Sequence, residues 1–237
     1  VLGFAIMSNH WHCVLRNRPE QVKELSNREV AMRWLAITAR KRAKGKKPGK
    51  VQEKVLGNGL QVVSVERFSS PTVSVQLWVR TGSRNERPGI TGIAHLFEHM
   101  MFKESKLFPS GMWALERHGA QMNATTYLNR TNYYETMPTS LLCDALQREA
   151  ARMANPVFRP DALKRELRVV SNEFQRGLNN PWQVINEEMN AQAYQRANWR
   201  RSTIGSQFDR DHATCEALRA YQKKRYTPAN AVVFVTG

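Results

Sequence analysis

Polar and apolar residues alternate at every second position in Leu60 to Glu66 and in Thr72 to Arg80, and Val73, Val75, Leu77 and Val79 fall on one face. That is the pattern of half-buried strands. Asn58-Gly59 ahead of the first is a turn signal. Ala120 to Tyr127 and Asn132 to Met137 read as further strands, and Ala231 to Thr236 as a buried one. Helical patterns predict helices over Ile93 to Met101, Met112 to His118, Ser140 to Met153, Asp161 to Leu178, Pro181 to Arg196 and His212 to Tyr226. Thr139-Ser140 supplies a cap and Arg159-Pro160-Asp161 a helix-initiating proline. This order predicts an α+β domain, an antiparallel sheet with helices packed on one face.

The chemistry concentrates in the first helix, in His95-Leu96-Phe97-Glu98-His99. Residues i and i+4 of a helix lie one above the other, so both imidazoles can bind one metal ion, and Glu98 stands where it can reach a water on that ion. The order is HxxEH, the inverse of the commoner HExxH. Gly89 to Ala94 form a glycine-bearing lead-in, and Leu96, Phe97, Met100, Met101 and Phe102 make the surroundings apolar. Two imidazoles and a carboxylate in such a helix need partners, because an unpaired buried polar group costs about 1–3 kcal/mol. A metal supplies one.

A further ligand has to come from elsewhere in the chain. Glu166 and Glu173 are seven residues apart, two turns on one helix face, so one can bind the metal while the other hydrogen-bonds a ligating imidazole. A salt-bridged helix is the competing reading, since Arg165, Arg168 and Arg176 lie close by.

Gly82-Ser83-Arg84-Asn85-Glu86, then HLFEH, Asn123-Ala124-Thr125-Thr126, Arg165-Glu166 through Glu173, and Tyr226-Thr227-Pro228-Ala229-Asn230 follow one another in an order that resembles the pitrilysin (inverzincin) zinc metallopeptidases. The likeness runs from about Val51 to Gly237. It implies Zn2+ held by His95, His99 and Glu173, Glu98 as general base, Glu166 as the outer carboxylate, and Asn123 and Ala124 on the strand that pairs with an extended peptide substrate. Taken as a plain sequence, that stretch is an ordinary strand, and both readings can hold together. In the family a second, related half or a partner subunit closes over the active one. The chain stops at Gly237 directly after an apolar strand, so we expect zinc binding with weak or no peptidase activity by the chain alone.

Charge sets the first 50 residues apart. Twelve Lys and Arg against three Glu give them a formal charge of +9, out of +16 for the 237-residue chain. Residues 41–50 read as a basic linker, solvated or in contact with nucleic-acid phosphates. Residues 1–40 contain Gly3 to Leu15, an apolar strand with His10 and His12 two positions apart, a spacing suited to one divalent metal. This segment resembles the His-hydrophobe-His part of REP-associated tyrosine transposases. A nucleophilic tyrosine is missing, as no Tyr precedes Tyr127, so no transposase activity is expected. The peptidase-like domain then occupies 51–237.

No apolar run reaches the roughly 18 residues of a membrane helix. Cys13, Cys143 and Cys215 are odd in number and scattered, which argues against a disulfide framework and suggests small buried hydrophobes. His118 and His212 are expected at surfaces or helix ends. Three functions compete: a zinc endopeptidase, a non-catalytic or partner-dependent subunit of such an enzyme, and nucleic-acid binding through residues 1–50. Intact His95, Glu98, His99 and Glu173 favour the first.

Overall fold

The computed structural model describes residues 3–7, 10–14, 49–67, 70–194 and 198–237. The chain divides into two units, Val1–Lys47 and Pro48–Gly237. In the first, β1 (Gly3–Met7) and β2 (His10–Val14) form an antiparallel hairpin with Met7 opposite His10 and Ala5 opposite His12. The side chains of this hairpin and residues 15–48 lie outside the described residues, and with them the His10/His12 pair and most of the basic linker.

The second unit is built on a six-stranded sheet. Its strands are β3 (Val51–Val55), β4 (Gln61–Val65), β5 (Thr72–Val79), β6 (Gln121–Thr126), β7 (Thr131–Pro138) and β8 (Ala231–Thr236), in the order β3-β4-β8-β5-β7-β6. The expected α+β architecture is present, with one correction: β4 and β8 pair in parallel, while the other pairings are antiparallel. Hydrophobic alternation records which face a residue takes and carries nothing about strand direction. β3 escaped the pattern because four of its five residues are exposed, so no apolar face marks it. It joins β4 through a tight turn in which Gly59 takes φ +86°, the conformation a glycine adopts without cost.

Val73, Val75, Leu77 and Val79 of β5 are buried, with Ser74, Gln76 and Trp78 half-buried on the other face. Helices cover the valine face. The helices of this unit are α1 (Ile93–Met100), α2 (Leu142–Ala154), α3 (Pro160–Leu178), α4 (Pro181–Ala193), α5 (Gln207–Asp211) and α6 (Cys215–Arg225), of which α4 carries no buried residue and packs on α3. The core centres on Phe97 of α1, fully buried, whose ring lies 5.5 Å from Phe158, 5.3 Å from Tyr221 and 4.3 Å from Tyr226. Burying such a side chain contributes about 1.5–3 kcal/mol, and here it also fixes the rotation of the helix that carries the two histidines.

Several boundaries differ from the sequence reading. Met112 to His118 is a 3₁₀ helix, confined between Gly111 at φ +62° and Gly119 at φ +90°. The helix expected from His212 begins at Cys215, because the Thr214 side chain caps it by accepting from Ala217 N, and α5 ends at Asp211. Thr139 and Ser140 give no side-chain cap; Pro138 leads into a 3₁₀ turn from which α2 continues. Cys143 is exposed, contrary to expectation, whereas Cys215 is buried. His118 and His212 are exposed, at the ends of the 3₁₀ helix and of α5. No described helix is long and apolar enough to cross a membrane.

Candidate metal centre

α1 begins at Gly92, whose φ of +85° and contact with the Ile204 carbonyl leave no room for a side chain: an added Cβ would lie 2.3 Å from that oxygen. Its first amides are taken by the buried Glu86 carboxylate, which accepts from Gly92 N and Ala94 N at 2.9 Å each. Thr91, just ahead, is held by Asp209 through its amide at 2.8 Å and through its hydroxyl at 2.5 Å. The helix start is thus clamped by two carboxyl groups from outside it, which take amides that the helix itself leaves unpaired.

One turn apart on this helix, the imidazoles of His95 and His99 meet with Nε2 to Nε2 at 3.3 Å and their rings inclined at 75°. Glu173 of α3 brings Oε2 to 3.6 Å from His95 Nε2 and 3.4 Å from His99 Nε2. Two turns earlier on α3, Glu166 Oε1 sits 3.0 Å from His99 Nδ1, and its other oxygen lies 2.6 Å from Lys103 Nζ. The seven-residue spacing therefore serves both nitrogens of one ring: Glu166 at the far one, Glu173 at the near one. With the Nδ1 proton of His99 donated to Glu166, its Nε2 presents a lone pair toward a second imidazole nitrogen and a carboxylate oxygen. Three acceptors facing one another repel unless a proton or a cation lies between them.

The donor set fits a small divalent ion. The candidate ligand atoms of His95, His99 and Glu173 all lie within 4.8 Å of one another. Bonds of about 2.0–2.2 Å at a tetrahedral angle give ligand-to-ligand edges of roughly 3.3–3.6 Å, and the three closest edges here are 3.3, 3.4 and 3.6 Å. Three protein ligands leave a fourth position for water or substrate. His95 Nδ1 is buried with no hydrogen-bond partner among the described residues, so only His99 has its outer nitrogen held by the protein.

In the metal-free protein burial pulls His95 down to about 4, aided by the positive charge of His99. Burial acts on His99 the same way, yet hydrogen bonds to Glu166 and Glu173 outweigh it and lift it to about 9. At neutral pH the pair thus carries one positive charge, on His99. Burial raises Glu98 to about 7, against the hydrogen bond from Thr126 and the charge of His99. Glu98 is buried beside the pair and accepts a short hydrogen bond from the Thr126 hydroxyl. Asn123 and Ala124 lie on β6, at the edge of the sheet, paired through β7 with Tyr134 and Tyr133; Asn123 is exposed and Ala124 buried.

All the peptidase-site residues expected from the sequence except Asn123 and Ala124 converge on this one cluster, while those two lie on the sheet edge formed by β6. Spacing did not reveal the contacts of Glu86, Thr126 and Lys103. Each acts across 6 to 63 residues of chain, and only the fold brings them to α1 and α3.

Residues 61–207 match the family model of Insulinase (Peptidase family M16), and the chain belongs to that family. It is 30% identical over 184 residues to the probable mitochondrial-processing peptidase subunit beta of Arabidopsis thaliana, covering 77% of this chain and 35% of the relative. Zinc protease PqqE of Helicobacter pylori is 31% identical over 186 residues, 77% of this chain and 42% of that protein. The fold superposes on the crystal structure of a protease from Helicobacter pylori with a TM-score of 0.74 at 29% identity, covering 80% of this chain and 46% of that one. The chain spans less than half the length of these relatives.

Proposed function

We propose that residues 51–237 form the zinc-binding half of a metalloendopeptidase, with His95, His99 and Glu173 as ligands and Glu98 as general base. The observation that carries this is the convergence of two Nε2 atoms and one carboxylate oxygen at 3.3–3.6 Å, with a buried carboxylate alongside. Zinc, when bound, polarises the scissile carbonyl and brings the pKa of water down to about 7. Glu98 takes the proton of the attacking water and returns it to the leaving amine. The Thr126 hydroxyl fixes the Glu98 carboxylate, and Glu166 holds the His99 ring in the tautomer that leaves Nε2 free for the metal. An extended peptide lies along β6 near Asn123 and Ala124, where the sheet edge offers backbone donors and acceptors.

The named relatives are a zinc protease and one subunit of a processing peptidase, and each is more than twice as long as the matched region. On that basis the site works fully only with a further half or partner subunit. The test is zinc content and cleavage of a peptide library by the wild type and by Glu98→Gln, with the further half added where the chain alone is slow. Bound zinc with lost cleavage in the variant supports the assignment; cleavage unchanged by the substitution refutes it.

A further inference from the structure

A cleft of about 790 Å³ opens beside His95 and Glu173, between α3, α4, the turn after β6 and the segment around Arg200 to Ile204. That volume is in the range of sites that hold a small ligand or a few residues of a peptide. Arg176 stands on α3 one turn beyond Glu173, so the cleft continues directly from the metal cluster along one helix face. From α4 come amides, Asn186 and Asn190 among them, and Arg200 and Arg201 close the far wall. The lining carries three guanidinium groups against two carboxylates. Glu173 is turned to the histidines, and Glu187 already accepts from Ser202 Oγ at 2.7 Å and from Gln183 Nε2 at 3.3 Å.

Arg201 adds an independent sign. Its Nη1 is buried and has no hydrogen-bond partner among the described residues. Arg201 is half-buried and its charge also acts on the Glu86 carboxylate, but the enclosed Nη1–H itself lacks an acceptor, and one arriving from the cleft would satisfy it. An apolar side chain placed here would leave Arg201 Nη1 without a partner.

We propose that this cleft is the subsite that takes a substrate carboxylate, with Arg176 and Arg201 as the residues that recognise it. That the ligand is a peptide rests on the peptidase reading above. The carboxylate comes either from an Asp or Glu side chain or from the C-terminus of a short peptide, and both place two oxygens where guanidinium groups bind them with charge-assisted hydrogen bonds.

The test uses the full chain, zinc-loaded and carrying Glu98→Gln so that bound peptide is not consumed. Labelled peptides of one backbone carry Glu, Gln or Lys at each position in turn, every one made with a C-terminal acid and a C-terminal amide. Anisotropy then reads the affinity. Expected is at least about tenfold tighter binding for the carboxylate-bearing member of a pair, with the Glu/Gln or the acid/amide comparison showing which source the cleft takes. This preference should vanish in Arg176→Gln/Arg201→Gln and survive in Arg201→Lys, with zinc content monitoring the fold. Equal affinities in both comparisons overturn the subsite, as does a preference that persists in the double variant, or no peptide binding at all; the first needs no variant of the cleft. If the wild type, with the further half added, cleaves peptides that bind equally in both comparisons, the subsite fails and the peptidase reading stands. Charge-selective binding with no cleavage even when that half is present leaves the subsite standing and removes the peptidase reading.

Discussion

Zinc binding should be strongly pH-dependent, because the metal has to displace a proton. Without metal, His99 is held at about 9, chiefly because its hydrogen bonds to Glu166 and Glu173 overcome the effect of burial. Below that value the site holds a proton where the ion must sit. At pH 7 about one molecule in a hundred has a neutral His99, which weakens apparent zinc affinity by roughly 2.7 kcal/mol relative to pH well above 9. The sign follows from linkage. The His99 proton stabilises the metal-free fold most below the ordinary value of 6.5, and that contribution is lost as pH rises through about 9. Zinc affinity therefore climbs about tenfold per pH unit between 7 and 9 and then levels off. Glu166→Gln removes the anionic partner 3.0 Å from Nδ1. It should shift the levelling to lower pH, and above pH 9 bind zinc about 10–100-fold more weakly, the usual effect of losing such an outer partner. At neutral pH the two effects oppose each other, so one measurement there would mislead. Chelator competition from pH 6.5 to 9.5 on both proteins resolves them. A flat wild-type profile, or a variant with the same slope and no loss at high pH, refutes the reasoning.

Other substitutions test the supports. Thr126→Val leaves Glu98 without its hydroxyl donor and should lower kcat about tenfold or more at unchanged zinc content, with Thr126→Ser restoring it; equal kcat in the valine variant would remove Thr126 from the mechanism. Arg152 is fully enclosed between Glu135 and Glu149, over the Tyr133 ring at 4.4 Å, and Arg152→Met should cost roughly 3–5 kcal/mol in denaturant unfolding. Burial raises Glu86 from 4.5 to about 7, against its hydrogen bonds from Ala94 and Gly92, so the folded state binds this proton more tightly than the unfolded chain. Its contribution is present below about pH 4.5 and falls as pH rises through about 7, by at most about 3 kcal/mol. The difference in unfolding free energy between wild type and Glu86→Gln should show that slope, and a pH-independent difference would contradict it.

The sequence by itself determined most of the elements, though not β3, and the residues of the cluster. Alternation set the faces of β5, and four- and seven-residue spacings put His95 with His99 and Glu166 with Glu173 on shared helix faces, because helical periodicity is a local property of the chain. Tertiary structure decided what local periodicity cannot encode. It made β4 and β8 parallel, placed the exposed β3 at an edge, divided the labour between Glu166 and Glu173 by bringing α3 across α1, and set Thr126 against Glu98. The cleft beside Glu173 also belongs to the fold alone, since Arg176 and Arg201 are 25 residues apart in sequence and line one cleft only once α4 has turned the chain back. Contacts of this kind depend on chain direction and packing in three dimensions, and no pattern along one segment records them.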